Sequence, residues 1–382
     1  MEGRQGLNDK SKSDQKIMIK TIPLFKVHHP KGIGKKIEDI FQKGIITEGE
    51  ISDKFEQSFA KYIGNPHCTL TNSCTSAITL ALRLAGVKAG DDVISTPMTC
   101  MATNEPIDTA GARIVWADVD PTTGNIDPRD VEKKLLLHPK AKAIIAVHWA
   151  GQPFDIKEIN KIARKYKVKV IEDAAHALDS TYKNKKIGCH GDFVCFSFQA
   201  IKHLTTGDGG ALFCKKKSDD SRAKLLKWFG LNRKFKGSKW KQDIKESGYK
   251  FHMNNITATI GLEQLKYIES LTDAHRNNAS YYDKHLNTPK IKKLNRDPNS
   301  SSSCWIYSLL CEDRDALQKH LHKNGIQSDA VHVRNDEYSV FKDYRLPLEG
   351  ISYFNPRLLN IPVGWWLSKK DLNHITKTIN MW

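Results

Sequence analysis

From about residue 50 onward, short apolar segments alternate with amphipathic ones, and this alternation restricts the possible folds more than any other feature of the sequence. Residues 142–149, KAIIAVHW, are almost continuously apolar, as expected of a strand that is buried on both faces. The segment 155–167 then places Ile156, Ile159 and Ile162 on one face of a helix. The repeated order of strand, helix and strand predicts an α/β fold with a large, mostly parallel sheet that is covered by helices on both sides.

The pattern changes near residue 256. Residues 256–286 predict one long helix of the kind that connects domains, and the segments after it predict a small α+β unit. We therefore predict a flexible polar extension over residues 1–22 and a large cofactor-binding α/β domain over residues 23–255. A connecting helix and a small C-terminal α+β domain are expected over residues 256–382.

The sequence also predicts the compartment. The first twenty residues lack the apolar core of a secretory signal, and no window of about 18 apolar residues could span a membrane. Eight cysteines are scattered without a C-x-x-C pair, which favours reduced thiols in a cytoplasmic protein over a disulfide framework. Their spacings match no standard pattern of metal ligands, so no metal site is expected.

The formal net charge of +17 raises the question of an anionic partner. Residues 215–250 hold 13 Lys and Arg against 4 Asp and Glu, together with the aromatic residues Trp228, Phe229, Phe235 and Trp240. This mixture suits a nucleic-acid strand, but also a solvated surface, a phosphate-bearing small molecule or a lysine-rich proteome. Because no nucleic-acid-binding signature lies nearby, we favour the phosphate-bearing ligand over nucleic acid.

Three clusters of polar residues fall where ligands bind in open parallel sheets, beyond the carboxyl ends of the strands. The first, Thr71 to Ser76, precedes an apolar helix and could bind an anion at the helix N-terminus or simply cap it. The second, Glu172 to His176, places carboxylates at the end of an apolar strand. The third, Phe196 to Gly210, contains Lys202 among small and aromatic residues, a setting that lowers the pKa of a lysine.

These three clusters together meet the needs of pyridoxal phosphate. This cofactor requires an anion cradle for its phosphate, a carboxylate beside its pyridine nitrogen and a lysine for its aldehyde. The lysine, once displaced by an amine, can act as the base that moves the proton.

Longer motifs make the identification more specific. The pattern S-F-x-x-x-K-x-x-x-x-G-D-G-G occupies Ser197 to Gly210, E-D-A-A-H occupies Glu172 to His176, and S-C-T-S-A-I occupies Ser73 to Ile78. From about Gly44 to its C-terminus, the chain resembles the DegT/DnrJ/StrS class of sugar aminotransferases. The resemblance implies the aspartate-aminotransferase-like fold of fold-type-I pyridoxal-phosphate enzymes, with a large, mostly parallel sheet domain and a smaller C-terminal α+β domain.

The resemblance also implies a role for individual residues. Lys202 would form the Schiff base with the cofactor, Asp173 would pair with the pyridine nitrogen, and Ser197 would bind the phosphate. His176 would lie against the cofactor ring near its 3-hydroxyl group, and Thr75 would be a second phosphate ligand. Lys202 and Asp173 are thus the expected catalytic residues.

Three positions depart from the pattern of the family. Cys74 replaces the usual glycine of the phosphate cradle, and Cys100 stands where many relatives place an aromatic ring on the cofactor. Lys250 stands where many relatives have an asparagine that reaches the phosphate across the dimer. All three are still expected to contact the cofactor, and the weaker stacking by Cys100 would leave more of the ring clamping to His176.

The resemblance further implies the reaction and its partners. Enzymes of this class transfer an amino group from glutamate to a nucleotide-linked keto-sugar, commonly a 4-keto-6-deoxyhexose, and work as homodimers with shared active sites. A branch with histidine in place of the lysine dehydrates its sugar, so Lys202 favours transamination. Within residues 329–336, which resemble a stretch near the substrate, His332 and Arg334 are the expected substrate contacts, with a purely structural histidine as the alternative.

Two other functions stay open at this point. The chain could be a pyridoxal-phosphate aminotransferase for a different keto-sugar or for a cyclitol. It could instead be a non-catalytic relative that binds nucleic acid or regulates another process, although the intact set of Ser197, Lys202 and Asp173 argues against this.

Overall fold

The computed structural model describes residues 21–238 and 241–382. Residues 1–20 of the expected extension, and Trp240 of the basic segment, lie outside the described residues. The α-helices of the described part are α1 (Ile33–Lys43), α2 (Glu50–Ile63), α3 (Cys74–Leu84), α4 (Met101–Thr109), α5 (Pro128–Leu137), α6 (Ile156–Tyr166), α7 (Lys217–Leu226), α8 (Asn255–Gln264), α9 (Ile268–His285), α10 (Arg314–Lys323), α11 (Glu349–Arg357) and α12 (Lys369–Met381). Its strands are β1 (Cys68–Thr71), β2 (Asp92–Ser95), β3 (Arg113–Trp116), β4 (Ala141–Val147), β5 (Lys169–Asp173), β6 (Thr181–Tyr182), β7 (Lys185–Lys186), β8 (Phe193–Ser197), β9 (Gly210–Cys214), β10 (Ile291–Lys293), β11 (Ser300–Ser301), β12 (Tyr307–Cys311) and β13 (Leu358–Ile361).

Within the described residues, seven strands form one large sheet in the order β1-β9-β8-β5-β4-β2-β3. All of them run parallel except β9, which is antiparallel to both of its neighbours. The mostly parallel α/β sheet predicted from the alternating pattern is therefore confirmed.

Helices cover both faces of this sheet, as a parallel sheet requires. One buried cluster packs α2, α5, α6 and α8 against the sheet, and a second packs α3, α4 and α7 against its other face. In β4, Ile144 belongs to the first cluster and Ile145 to the second, because successive side chains of a strand point to opposite faces. The continuous apolar run of β4 follows from this double burial.

Helix α6 shows how local sequence sets the element boundaries. The side chain of Asp155 caps its start by accepting a hydrogen bond from the backbone N–H of Glu158 at 3.0 Å. Ile156, Ile159 and Ile162 are all buried, as their spacing predicts. The helix ends where Lys167 adopts a left-handed backbone conformation, with φ of 57°.

The predicted long helix over 256–286 is interrupted. Helices α8 and α9 are separated by one turn of tighter 3-10 helix at Leu265–Tyr267. Beyond them, β10, β12 and β13 form a small antiparallel sheet that packs with α9, α10 and α12 around a separate core. This part has the α+β composition that the sequence predicts.

Segments of the large domain and of the C-terminal part pair with each other. Strand β11 pairs with β6, which lies more than a hundred residues earlier in the chain. Ile22, inside the stretch expected to be flexible, is buried and pairs with Ile326. The packed part of the chain therefore begins by Ile22. Among the described residues, none of the helices has the length and apolar character needed to cross a membrane.

Candidate active site

The three polar clusters predicted from the sequence lie at one edge of the large sheet. Strand β1 ends at Thr71, β5 at Asp173 and β8 at Ser197, and the carboxyl ends of parallel strands lie at the same edge. Gly210, the first residue of β9, pairs with Thr71 on one side and with Ser197 on the other. This register brings the start of α3 and the hydroxyl of Ser197 to either side of Gly210.

The start of α3 has the features of an anion site. Ser73 caps the helix, and its side chain accepts a hydrogen bond from the N–H of Ser76 at 3.0 Å. Cys74 and Thr75 are the first two helical residues, and backbone N–H groups at that position have no acceptor within the helix. Together with the positive end of the helix dipole, these groups favour a phosphate.

Gly210 allows the helix start to lie against the sheet. A Cβ atom at this position would lie 2.5 Å from the carbonyl carbon of Ser73 and 2.6 Å from the backbone nitrogen of Cys74. Both are backbone atoms and cannot move without shifting the start of α3. The position therefore requires glycine for close approach.

We expect Gly210→Ala to weaken binding of pyridoxal phosphate by roughly 10-fold to 100-fold, because displaced N–H groups lose charge-assisted hydrogen bonds. Titration of the apoprotein with the cofactor measures this. Gly34→Ala is the matched control, since a Cβ at Gly34 in α1 would meet no atom within 4 Å. Unchanged affinity in Gly210→Ala would contradict the assigned role of the α3 start.

Asp173 presents an ordered carboxylate at the end of β5. It is 4% exposed, and its Oδ1 accepts a hydrogen bond from the backbone N–H of Ala175 at 3.0 Å. Its Oδ2 accepts one from the hydroxyl of Thr103 at 2.6 Å. An ionised carboxylate only accepts, so Thr103 must donate, and Thr99 in turn donates to Thr103 at 2.7 Å. A buried carboxylate fixed in this way can hold a protonated ring nitrogen.

Asn335, in the C-terminal part of the protein, holds the segment that carries Thr99 and Thr103 in place. The side chain of Asn335 donates to the carbonyl of Thr99 at 2.8 Å and accepts from the side chain of Asn104 at 2.8 Å. The backbone N–H of Asn335 also donates to the carbonyl of Pro97 at 2.8 Å. Thr103 and Asn335 were not singled out by sequence reasoning, because neutral side chains of this kind carry no chemical signature on their own.

We expect Thr103→Val to weaken binding of pyridoxal phosphate by roughly tenfold, because the isosteric side chain cannot donate to Asp173. Thr103→Ser keeps the hydroxyl and should bind the cofactor nearly as the natural protein does. Equilibrium titration of the two apoproteins makes the comparison. Equal affinities in the two variants would show that the hydroxyl does not support Asp173.

Lys202 lies in the loop between β8 and β9, half-buried, with its Nζ 4.0 Å from the centre of the Trp305 ring. Burial lowers the pKa of Lys202 to about 8, and the nearby charge of Asp173 opposes this shift. A substantial fraction of the amine is therefore neutral near pH 7.5, which a nucleophilic lysine requires.

Two histidines accompany the lysine. The ring of His176 stacks on Trp305 at 3.8 Å between centres, and the ring of His332 lies parallel to that of His176 at 5.5 Å. Burial lowers the pKa of His332 to about 3 and that of His176 well below its usual range, so both are neutral at pH 7. The Nδ1 atom of His176 is buried and has no hydrogen-bond partner among the described residues, so it is available to a ligand.

The other predicted residues differ in their surroundings. Cys100 is exposed at the residue before α4. Lys250 is exposed, and its neighbour Phe251 accepts a hydrogen bond from the N–H of Asn72, beside the α3 start. The guanidinium of Arg334 is bound by the carboxylate of Asp336 at 2.6 and 2.8 Å. Its Nη1 atom donates to the hydroxyl of Ser352 at 3.3 Å, and the substrate contact expected of Arg334 stays a prediction.

Part of the basic segment 215–250 forms ion pairs within the fold. Its ion pairs include Arg222 with Glu246 at 2.7 Å and Lys224 with Asp220 at 2.9 Å. The nearly buried Lys227 lies 2.5 Å from Glu48. These pairs account for some of the basic residues of the segment, and the preference for a phosphate-bearing ligand over nucleic acid stays a prediction.

The residues at this edge fit pyridoxal phosphate. The α3 start and the hydroxyl of Ser197 suit its phosphate, the fixed carboxylate of Asp173 suits its ring nitrogen, and the amine of Lys202 suits its aldehyde. The unpartnered Nδ1 of His176 could bind a polar group on the ring. A group that suits the phosphate, one that suits the ring nitrogen and one that suits the aldehyde thus lie at the same edge of the large sheet.

Comparisons with known proteins agree with this description. Residues 30–380 match the model of the DegT/DnrJ/EryC1/StrS aminotransferase family. A Campylobacter jejuni protein (serotype O:23/36, strain 81-176), named UDP-4-amino-4,6-dideoxy-N-acetyl-beta-L-altrosamine transaminase, is 32% identical over 352 residues, covering 88% of this chain and 90% of that protein. The crystal structure of AtS13 from Actinomadura melliaura has a TM-score of 0.92 and 37% identity, covering 95% of this chain and 99% of that one. The structure of the sugar aminotransferase CalS13 from Micromonospora echinospora has a TM-score of 0.91 and 34% identity, covering 94% and 100%.

Proposed function

This chain belongs to the DegT/DnrJ/EryC1/StrS aminotransferase family, and on that basis we propose that it transfers an amino group from glutamate to the keto group of a nucleotide-linked 4-keto-6-deoxyhexose. As a member of the family it is a pyridoxal-phosphate-dependent sugar aminotransferase. Its fold is that of the fold-type-I pyridoxal-phosphate enzymes. Glutamate as the amino donor, the 4-keto-6-deoxyhexose and the role of each residue are proposals.

The relatives support the choice of substrate. The Campylobacter protein is named for a UDP-linked sugar that carries an amino group at position 4 and lacks oxygen at positions 4 and 6. An amino group at that position would arise from a keto group at the same carbon. The same type of substrate for this chain agrees with the excess of basic residues, since a nucleotide diphosphate is anionic.

One observation carries the proposal: a half-buried lysine with a lowered pKa, a fixed carboxylate and a free helix start lie at one edge of the sheet. Bound pyridoxal phosphate supplies an aldehyde that carries the amino group and a ring that withdraws electrons. The start of α3, with Thr75 and Ser197, binds the phosphate. Asp173 keeps the ring nitrogen protonated by placing a negative charge beside it.

Lys202 has two tasks in this scheme. It holds the cofactor between turnovers through its Nζ atom. Once displaced, the neutral amine accepts the α-proton of glutamate in the first half of the reaction. In the second half, the same amine delivers a proton to the sugar carbon that gains the nitrogen. A pKa near neutrality suits an amine that must both accept and release a proton.

We also propose that two copies of the chain form a homodimer in which Lys250 acts at the site of the other copy. In a single chain Lys250 is exposed. The next residue, Phe251, accepts a hydrogen bond from the N–H of Asn72 in the turn before α3. Mixing Lys202→Ala with Lys250→Ala tests this, because one of the two sites in a mixed dimer would then regain both lysines. Activity in the mixture well above that of either variant is expected, and its absence would place Lys250 in its own site or outside any site.

The experiment that tests the proposed reaction is a panel of UDP-linked and dTDP-linked 4-keto-6-deoxyhexoses, each incubated with glutamate and the purified full-length protein. Formation of 2-oxoglutarate that depends on the sugar is the expected result. The same keto-sugars without nucleotide, and a keto-cyclitol, serve as matched controls. Equal rates with the unlinked compounds would overturn the nucleotide-linked substrate, and the absence of 2-oxoglutarate with every acceptor would overturn glutamate as the donor.

A further inference from the structure

Trp305 lies directly beside the lysine that the proposed function depends on. It precedes β12, is 2% exposed, and its ring centre lies 4.0 Å from the Nζ atom of Lys202. Its indole N–H donates a hydrogen bond to the carbonyl of Ile201, the residue before Lys202, at 2.9 Å. The same indole therefore contacts both the side chain of the lysine and the backbone that carries it.

Neighbouring groups fix the orientation of this indole. The ring of Phe25 stacks on it at 5.1 Å, and the ring of His176 stacks on it at 3.8 Å with an angle of 9° between the planes. The backbone N–H of Trp305 donates to the carbonyl of Ala150 at 3.0 Å. A ring held by so many contacts presents a fixed face to the lysine amine.

An aromatic face attracts a cation, and it does so more strongly where water is excluded. At Lys202 this attraction opposes burial, which disfavours the charged amine. Other titratable groups also act at this position: the carboxyl of Asp173, the thiols of Cys74 and Cys100, and the imidazoles of His176 and His332. The two imidazoles are neutral at pH 7, whereas Asp173 and, after it, Cys100 and Cys74 raise the pKa of Lys202, in the same direction as the attraction by the indole face.

We propose that Trp305 is a positioning residue for Lys202: its indole face holds the lysine ammonium whenever the lysine is not joined to the cofactor. Trp305 thereby limits how much of the amine is neutral and free to react. This inference rests on the proposed function, since it concerns the lysine that would bind the cofactor. It adds a residue that the motifs around Lys202 do not contain.

The test measures how the rate of cofactor binding depends on pH. Full-length apoprotein is mixed with excess pyridoxal phosphate, and the rise of the visible absorption band gives the rate of bond formation. The rate increases with pH through the pKa of Lys202, because the neutral amine is the reactive form. In Trp305→Met, which keeps a bulky side chain but removes the aromatic face, we expect the midpoint of this increase to fall by roughly one pH unit. At pH 7 this makes binding roughly fivefold faster, with the same plateau at high pH.

Two further variants separate the aromatic face from simple packing. Trp305→Phe keeps a smaller ring and should give an intermediate midpoint. Phe25→Leu loosens the packing around the indole but leaves its face intact, so its midpoint should match that of the natural protein. A midpoint in Trp305→Met equal to that of the natural protein would overturn the proposal, and so would an equal shift in Phe25→Leu.

A second measurement separates failure of this inference from failure of the proposed function. Acetylation of Lys202 by acetic anhydride at a series of pH values, followed by mass spectrometry of the peptide, gives the same pKa without any cofactor. If the natural protein forms no bond with pyridoxal phosphate, the proposed function fails. The lower midpoint of Trp305→Met in the acetylation series would still support the contact between the indole and the lysine, and an unchanged midpoint would overturn it.

Discussion

Replacement of Lys202 by alanine is expected to reduce amino transfer by at least about 10⁴-fold. The variant loses the nucleophile that holds the cofactor and, with it, the base that moves the proton. Both losses act on the same reaction, so their effects on the rate combine. Single-turnover assays with glutamate, in which the rate of 2-oxoglutarate formation is recorded, measure the effect.

Lys202→Arg is the matched control, because it keeps a positive charge beside Asp173 but cannot form the bond to the cofactor. It should be as inactive as Lys202→Ala. Activity close to that of the natural protein in either variant would contradict the assignment of Lys202.

Lys202→Ala should lose activity but keep or gain thermal stability as the apoprotein. Burial lowers the pKa of Lys202 from 10.5 to about 8, so below pH 8 the charged lysine costs stability. Lys202→Ala apoprotein should therefore unfold at an equal or higher temperature than the natural apoprotein at pH 7. This advantage should shrink as the pH rises from 8 toward 10.5, where the amine becomes neutral in both the folded and the unfolded chain.

Asp173→Asn is expected to lower amino transfer by roughly 10² to 10³-fold, since it removes a fixed negative charge from a site that excludes water. The amide is nearly isosteric: its oxygen can accept from the N–H of Ala175 while its NH2 group donates to the hydroxyl of Thr103, which then donates to Thr99. The loss should therefore appear in the rate of the chemical step rather than in folding. Rapid-mixing measurements of the half-reaction with glutamate distinguish this step from substrate binding.

Glu172 supplies a control within the same strand. It precedes Asp173, is fully buried, and lies 3.0 Å from the Nε2 atom of His148. Because adjacent side chains of a strand face opposite ways, Glu172 points away from the candidate site. Glu172→Gln should lower the melting temperature by weakening the buried contact with His148, yet keep the activity of the protein that is folded. If both variants lost activity equally, Asp173 would have no special chemical role.

The elements that could be predicted from sequence are those with a strong apolar pattern. Strand β4 and helix α6 have clear patterns and were found close to where they were expected. Helix α4 was not predicted, because it contains Asn104, Glu105 and Pro106 and shows no clear apolar stripe. The antiparallel direction of β9 was not predicted either, since a short apolar strand has no sequence feature that indicates its direction.

Within the candidate site, too, only the residues with an unusual local sequence could be predicted. Lys202 and Asp173 could be found because a lysine among uncharged residues and a carboxylate after an apolar strand are unusual in themselves. Trp305 and Thr103 could not be found, because each looks like an ordinary core residue until the fold brings it to its partner. Trp305 lies about a hundred residues after Lys202 in the chain, and only the packing of the C-terminal part against the sheet brings the two together.

The position of Gly210 has a consequence for the order in which the nascent protein can fold. Strand β1 lies at the edge of the large sheet, and its only neighbour in that sheet, among the described residues, is β9. Thr71 must therefore wait for Gly210 to leave the ribosome before its strand can join the sheet. A chain halted before β9 would already carry the start of α3, but would lack the strand that supports it. The cofactor can thus stabilise this protein only at a late stage of its synthesis, after more than half of the chain has been made.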